Sequence, residues 1–259
     1  MFDEISYVED GAIARITINR PQVRNALNNR AHHEMRAAFE SFRDDPRLRV
    51  AVLTGRGDQA FCAGADLKEA AAMFAVGERE DGVPPFGGIT EDFTCWKPII
   101  AAVNGVALGG GTELVLACDI AVATTDATFG LPEVRHGIVA ASGGLVRLPR
   151  QLPLKAAMGM ILTGRPLTAT AALALGLVNE VVPAGQLADC VQRWADDILS
   201  CSPAAVRMSK EFALSRLHLP VDAALADQAE LVARLAESPD AAEGTRAFTE
   251  KRQPQWRAV

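Results

Sequence analysis

Two glutamates and two glycine-rich segments are the parts of this sequence whose residue types and spacing could do chemistry. Val103-Asn104-Gly105-Val106-Ala107-Leu108-Gly109-Gly110-Gly111-Thr112-Glu113 runs from an apolar stretch through three glycines into the helical-looking Leu114-Val115-Leu116-Ala117. Glycines at a helix start let a ligand approach the backbone closely. The first N–H groups of such a helix have no internal partners and lie at its positive end. That arrangement stabilises a developing oxyanion or cradles a phosphate, and a tight turn that binds nothing has the same composition. There is no GxxxxGK[ST] segment, and no GxGxxG opens a βαβ unit near the N-terminus, so a P-loop and a dinucleotide fingerprint are both excluded. Glu113 in an apolar helix is costly unless paired or useful, although a first-turn acid also stabilises a helix by itself. A second acid follows in Phe129-Gly130-Leu131-Pro132-Glu133, again framed by apolar residues and a rigid turn. Two carboxylates beside a donor-lined hole suit proton transfer to and from carbon and water. Spacing alone leaves open whether the two converge.

The other glycine segment is Phe61-Cys62-Ala63-Gly64-Ala65-Asp66-Leu67-Lys68. Other constellations carry less. Ser142 and His136 are close in sequence, but no GxSxG elbow frames the serine, which argues against a hydrolytic triad. His32 and His33 are adjacent on an expected helix and point in different directions, a poor chelate for a metal. The five cysteines form no CxxC pair, and their apolar neighbours mark them as buried free thiols in a reducing compartment.

The elements that must position these residues read as α/β. Ala12 to Ile18 reads as a strand closed by Asn19-Arg20-Pro21, and a helix follows from Asn28, with Met35, Phe39 and Phe42 on one face. Leu48 to Leu53, Ile99 to Val106 and Ile120 to Ala123 read as buried strands. Strands alternating with helices predict parallel pairing. Ala70 to Thr90, with its charge run and its prolines and glycines, reads as a solvated mobile loop able to cover a ligand. After Pro183 the chain reads as helical, with packing stripes at Leu187, Val191, Trp194 and Ile198 and at Leu225, Leu231, Val232 and Leu235. The expected division is a core over residues 1–184 and a helical oligomerisation region over residues 185–259.

A net charge of -6 with no basic, aromatic-interleaved cluster argues against nucleic acid. No apolar run approaches the roughly 20 residues that span a bilayer, and the acidic MFDEISYVED start lacks a leader pattern. The expectation is a cytoplasmic protein that engages no membrane.

Taken together, the AGADLK, VNGVALGGGTE, FGLPE and FTEKR segments, in this order and spacing, resemble the crotonase (enoyl-CoA hydratase/isomerase) superfamily, most of all its enoyl-CoA hydratases. The likeness covers essentially the whole chain. It implies a spiral of ββα units with a helical C-terminal region, assembled as a homotrimer or homohexamer. It implies an acyl-CoA thioester substrate and no cofactor, CoA being part of the substrate. On this resemblance the backbone N–H groups of Ala65 and Gly110 form the oxyanion hole, and Glu113 and Glu133 are the catalytic pair. Ala63, Ala65, Asp66, Leu67 and Lys68 would run along CoA, helped by Arg24 before Asn25-Ala26-Leu27, while Phe248 and Lys251 would reach the CoA of a neighbouring subunit. One segment departs from the hydratase pattern. Where hydratases have Pro-Gly-x-Gly-Gly, this chain has Ala140-Ala141-Ser142-Gly143-Gly144, and the stretch from Ser142 to Pro149 is closer to the carnitinyl-CoA dehydratase branch. Dehydration of such a substrate, double-bond isomerisation and acyl-CoA binding without turnover are the alternatives.

Overall fold

Hydrophobic alternation with period two builds the larger of two sheets. Val50 and Val52 face one way and Ala51 and Leu53 the other, and both sets are buried, so this strand has core on each side. The computed structural model describes residues 2–66, 69 and 82–257. Its strands are β1 (Ile5–Asp10), β2 (Ile13–Ile18), β3 (Val50–Gly55), β4 (Ala60–Cys62), β5 (Ile99–Val103), β6 (Val106–Leu108), β7 (Ile120–Thr124), β8 (Thr128–Gly130), β9 (Leu167–Thr168) and β10 (Glu180–Val182). The larger sheet has the order β1-β2-β3-β5-β7-β10 and the smaller β4-β6-β8-β9. The pairs β3/β4, β5/β6 and β7/β8 each send one strand to the larger sheet and the next to the smaller, with parallel neighbours. The chain thus winds as a spiral.

Helix α1 (Asn29–Asp44) starts where Asn28 Oδ1 accepts from the Ala31 N–H at 2.8 Å, and it buries Met35, Ala38, Phe39 and Phe42. Its last carbonyls are satisfied by buried Lys97, whose Nζ donates to Phe42 O and Asp45 O. The helices that follow are α2 (Gly110–Ala117), α3 (Gly144–Gln151), α4 (Leu154–Thr163) and α5 (Ala169–Leu175). After β10 come α6 (Leu187–Ser200), α7 (Pro203–Arg216), α8 (Val221–Ala226), α9 (Gln228–Ala236) and α10 (Pro239–Glu250). Leu187, Cys190, Val191 and Ala195 of α6 pack on the face of the larger sheet that carries Val50, Val52, Ile100 and Val122. Each buried leucine, isoleucine or valine there contributes about 1.5–3 kcal/mol.

The expected elements are present, with four corrections. Ile99 to Val106 is two strands, because Asn104-Gly105 turns the chain from one sheet to the other. The acidic N-terminus contains β1, an edge strand whose outer half is exposed. Within the expected solvated loop, Phe86 to Thr90 is buried, and Phe86–Gly88 forms a 3-10 turn; residues 70–81 of that loop lie outside the described residues. Finally, Leu225 and Val232 of the second C-terminal stripe are exposed, as are Leu214, Leu217 and Val221. Cys62, Cys95 and Cys190 are buried free thiols as expected, whereas Cys118 is only partly covered and Cys201 is exposed. Among the described residues no helix is long and apolar enough to cross a membrane.

Candidate active site

Three polar side chains, two of them buried and Asn104 partly so, shape the backbone on which the site is built. Asn25, in the left-handed region at φ 56°, donates from Nδ2 to Arg56 O and Ala60 O. Asn104 donates to Gly55 O and Gly57 O and accepts from the Gly55 N–H, fixing the turn between β5 and β6. Arg20 pairs with Glu4 and with Asp66 at 3.1 Å and donates to Ala26 O. These ties hold a short parallel bridge between Leu27 and Ala65, in which the Leu27 N–H donates to Gly64 O and the Asp66 N–H to Leu27 O. The backbone at Gly64 lies against the Gly110 amide, 3.7 Å from the position a Cβ on Gly64 would take. The Gly64–Ala65 peptide and the first amides of α2 are therefore neighbours.

Helix α2 is apolar and buried from Gly110 to Leu116, so the one charge it carries, Glu113, is 3% exposed. Thr112 joins this helix to the strand that leads to the second acid. Its buried hydroxyl donates to Ala107 O, and Oγ1 accepts from the Gly130 N–H at 3.0 Å, while the Gly109 N–H donates to Gly130 O. The chain then passes through Leu131 into the 3-10 turn Pro132–His136, which carries Glu133 in its first turn. A Cβ on Gly109 would lie 3.0 Å from Glu133 Oε1, so this carboxylate stands over the N-terminus of α2.

Both acids are held away from their ordinary ionisation. Burial pushes Glu113 up to about 7; the neighbouring Glu133 and Glu91 charges add to the rise, and the N–H groups of Gly144 and Ser142 oppose it. The Gly144 N–H donates to Glu113 Oε1 at 2.8 Å. Burial also raises Glu133, partly offset by its own backbone N–H and by His136. Glu133 Oε2 is buried and has no hydrogen-bond partner among the described residues. A buried polar atom left without a partner costs about 1–3 kcal/mol, which is tolerated where a ligand or water completes it.

A stability signature follows from the Glu113 value. A carboxyl whose folded pKa lies above its unfolded one favours folding in its protonated form. That advantage is complete below the unfolded value and is lost as pH rises to about 7. Glu113→Gln is therefore expected to be more stable than wild type at pH 8, by about 1–3 kcal/mol, and about equal at pH 4.5. Urea midpoints at the two pH values measure this; an equal difference at both would contradict the buried-acid account.

Ala63 and Arg24 are also brought beside the bridge, since the Ala63 N–H donates to Arg24 O. Arg24 itself is exposed, in the left-handed region at φ 55°. Asp66 faces Arg20 at the base of the loop. Leu67 and Lys68 lie outside the described residues. Phe248, 87% exposed, and Lys251, the left-handed cap of α10, stand in solvent within the single chain. Ser142 lies in the turn before α3, while His136 is exposed and acts on Glu133 by its charge. His32 is buried and His33 exposed, so they point apart; among the described residues no cluster of metal-ligating side chains is present.

Sequence reading passed over Phe86 and Arg147. A Cβ on Gly110 would overlap the Phe86 ring, which packs edge-on against His32 at 4.9 Å. The Gly87 N–H donates to His32 Nδ1, locking this turn to α1. The one signal for Phe86 was an aromatic set directly between Pro84-Pro85 and Gly87-Gly88; Arg147 carried none beyond its position in the Ser142–Pro149 stretch.

Comparison with known proteins bears on the family and the fold. The family model described as enoyl-CoA hydratase/isomerase matches residues 9–258. A carnitinyl-CoA dehydratase of Proteus mirabilis is 44% identical over 251 residues, 95% of each chain. One of Escherichia coli K12 is 42% identical over 261 residues, 99% of each. Among solved structures, an enoyl-CoA hydratase from Mycobacterium tuberculosis H37Rv superposes with a TM-score of 0.91 at 41% identity, covering 99% of both chains. An enoyl-CoA hydratase/isomerase from Mycobacterium paratuberculosis gives 0.93 at 37% identity over 100% of both. The spiral of paired strands, the glycine-rich start of α2 and the match along nearly its whole length make this chain a crotonase-fold member of the enoyl-CoA hydratase/isomerase family, an enzyme family that acts on acyl-CoA thioesters.

Proposed function

We propose that the chain is a hydro-lyase that interconverts a 2-enoyl-CoA thioester and its 3-hydroxyacyl-CoA. The observation that carries this reading is the pair of buried Glu113 and half-buried Glu133, both raised, beside the glycine-rich start of α2, with one oxygen of Glu133 left open among the described residues. The N–H groups of Ala65 and Gly110 take the thioester oxygen. The ionised glutamate removes a proton from water as the water oxygen bonds to Cβ. The double-bond electrons move to Cα and the thioester oxygen, giving an enolate that the two N–H groups stabilise. The protonated glutamate then delivers its proton to Cα as the carbonyl re-forms. One molecule of water has been added, and the pair again carries one proton. The rise of Glu113 to about 7 suits this sharing, because a carboxyl poised near neutrality both gives and takes a proton. CoA enters and leaves with the substrate, and the reaction needs no other group.

A second reading, dehydration of carnitinyl-CoA, is favoured by two observations. They are the 42–44% identity to dehydratases of that name and the Ala140-Ala141-Ser142 turn before the glycines that meet Glu113. It uses the same two acids in reverse. The test compares crotonyl-CoA with the enoyl-CoA that bears a trimethylammonium group on its γ-carbon. The simple-substrate reading expects a kcat/KM for crotonyl-CoA at least equal to that of the cationic thioester. A preference of tenfold or more for the cationic thioester replaces it with the second reading, and no turnover of either overturns both.

A further inference from the structure

Arg147 is a charged residue beside the turn that meets Glu113 and lies outside the acid pair. It sits in the first turn of α3, with its backbone N–H on Gly143 O. Its side chain folds back over the same turn: a Cβ on Gly143, which has φ +100°, would overlap Arg147 Nη1. Nη2 reaches across to Thr90 O at 2.7 Å. Thr90 in turn donates from Oγ1 to Phe86 O at 3.0 Å, and Phe86 is the ring against Gly110. One guanidinium thus joins the turn that gives its N–H groups to Glu113 with the segment that backs the oxyanion glycine.

Resting on the proposed hydro-lyase reading, we infer that Arg147 is a positioning residue, which holds the Gly143–Gly144 turn against Glu113 and sets the charge that Glu113 feels.

Among the described residues, charged groups face Glu113 from three elements. Glu133 comes from the 3-10 turn, Glu91 from the segment after Phe86 and Arg147 from α3. The strand behind α2 contributes Cys62, whose thiol burial pushes up to about 12 and so keeps neutral. Arg147 is the cation in this set. Its own value is lowered by burial and drawn back up by Glu113 and Glu91, so the guanidinium and these carboxylates sense one another. The rise of Glu113 is dominated by its burial, and the Gly144 and Ser142 N–H groups of the turn that Arg147 covers oppose it. A planar fork that donates to a carbonyl while covering a peptide face cannot be reproduced by an ammonium, which separates the two parts of the role.

The test follows the Glu113 carboxyl by infrared pH titration, with Glu113→Gln spectra subtracted, in wild type, Arg147→Gln and Arg147→Lys. The inference expects Arg147→Gln to move the titration upward by at least about half a pH unit, since a lost cation disfavours the carboxylate. Arg147→Lys should titrate within about 0.2 unit of wild type because the charge is kept. On the substrate that wild type turns over, both variants should lose about tenfold or more in kcat with KM within about threefold, because geometry and not binding is lost. A folded Arg147→Gln that titrates as wild type overturns the inference, and so does a folded Arg147→Lys with wild-type kcat. If Arg147→Gln does not fold, the lysine variant decides alone. If wild type turns over no enoyl-CoA, the hydro-lyase reading fails while the titration still judges Arg147.

Discussion

Glu113→Gln and Glu133→Gln each lower kcat by roughly 10²–10⁴, the contribution of a positioned general acid or base, with KM changed much less. An amide has nearly the shape of a carboxylic acid but neither gives nor takes the proton, so binding survives and the chemical step does not. For Glu113 the replacement keeps the buried volume and an oxygen for the Gly144 N–H. For Glu133 it keeps the contact over Gly109. The double variant is expected to be little slower than the slower single variant, since residues that act as a unit are not additive. Loss of enoyl-thioester absorbance in a stopped assay measures all three. A Glu133→Gln variant with more than a tenth of wild-type kcat would remove it from the proton-transfer pair.

The second large effect is steric and concerns the proposed oxyanion hole. Gly110→Ala leaves the backbone N–H in place, so a chemical argument alone predicts nothing. The structure predicts a loss, because the new methyl group overlaps the Phe86 ring. That ring cannot retreat easily. His32 packs edge-on against it, the Gly87 N–H is held by His32 Nδ1 and Phe86 O is held by Thr90. The start of α2 must shift instead and carry its first amide out of line with Ala65. Misplacing one oxyanion donor costs about 10²–10³ in kcat. Phe86→Ala in the same chain makes room for the methyl group and is expected to restore at least about tenfold, as coupled neighbours do in a double-mutant cycle. Equal losses with and without Phe86→Ala would show that the ring does not set the helix position.

How much of this was legible before the fold was known depends on the kind of residue. The helix that follows Asn28, the buried strands and Glu113 in the first turn of an apolar helix all follow from local pattern, and the structure has them. The turn at Asn104-Gly105 was hidden because the residues on both sides are apolar, and hydrophobic pattern marks burial without saying in which sheet. Asn25, Asn104, Thr112 and Arg20 looked like ordinary polar residues. Their importance comes from partners that lie 31 to 49 positions away for Arg56 and Gly55 and from a strand 18 positions on for Thr112. No spacing rule reports such bonds. Phe86 was masked by composition, since charges, prolines and glycines surround the one aromatic that anchors the segment. In the C-terminal helices the pattern reads apolar at Leu225 and Val232, yet within one chain these side chains face solvent. Periodicity identifies a surface suited to packing and is silent about whether its partner is in the same chain.

The chemistry itself is tested most directly by the mass of the product. Wild type is incubated with crotonyl-CoA, and with its γ-trimethylammonium counterpart, in water enriched in heavy oxygen, and the thioester is weighed as its absorbance falls. The account predicts that at least one substrate loses its conjugated absorbance and gains the mass of one heavy water, with the label on the β-carbon, and that Glu113→Gln and Glu133→Gln gain almost none in the same time. A double bond that migrates with no gain in mass, or thioesters that bind and stay unchanged, would contradict it.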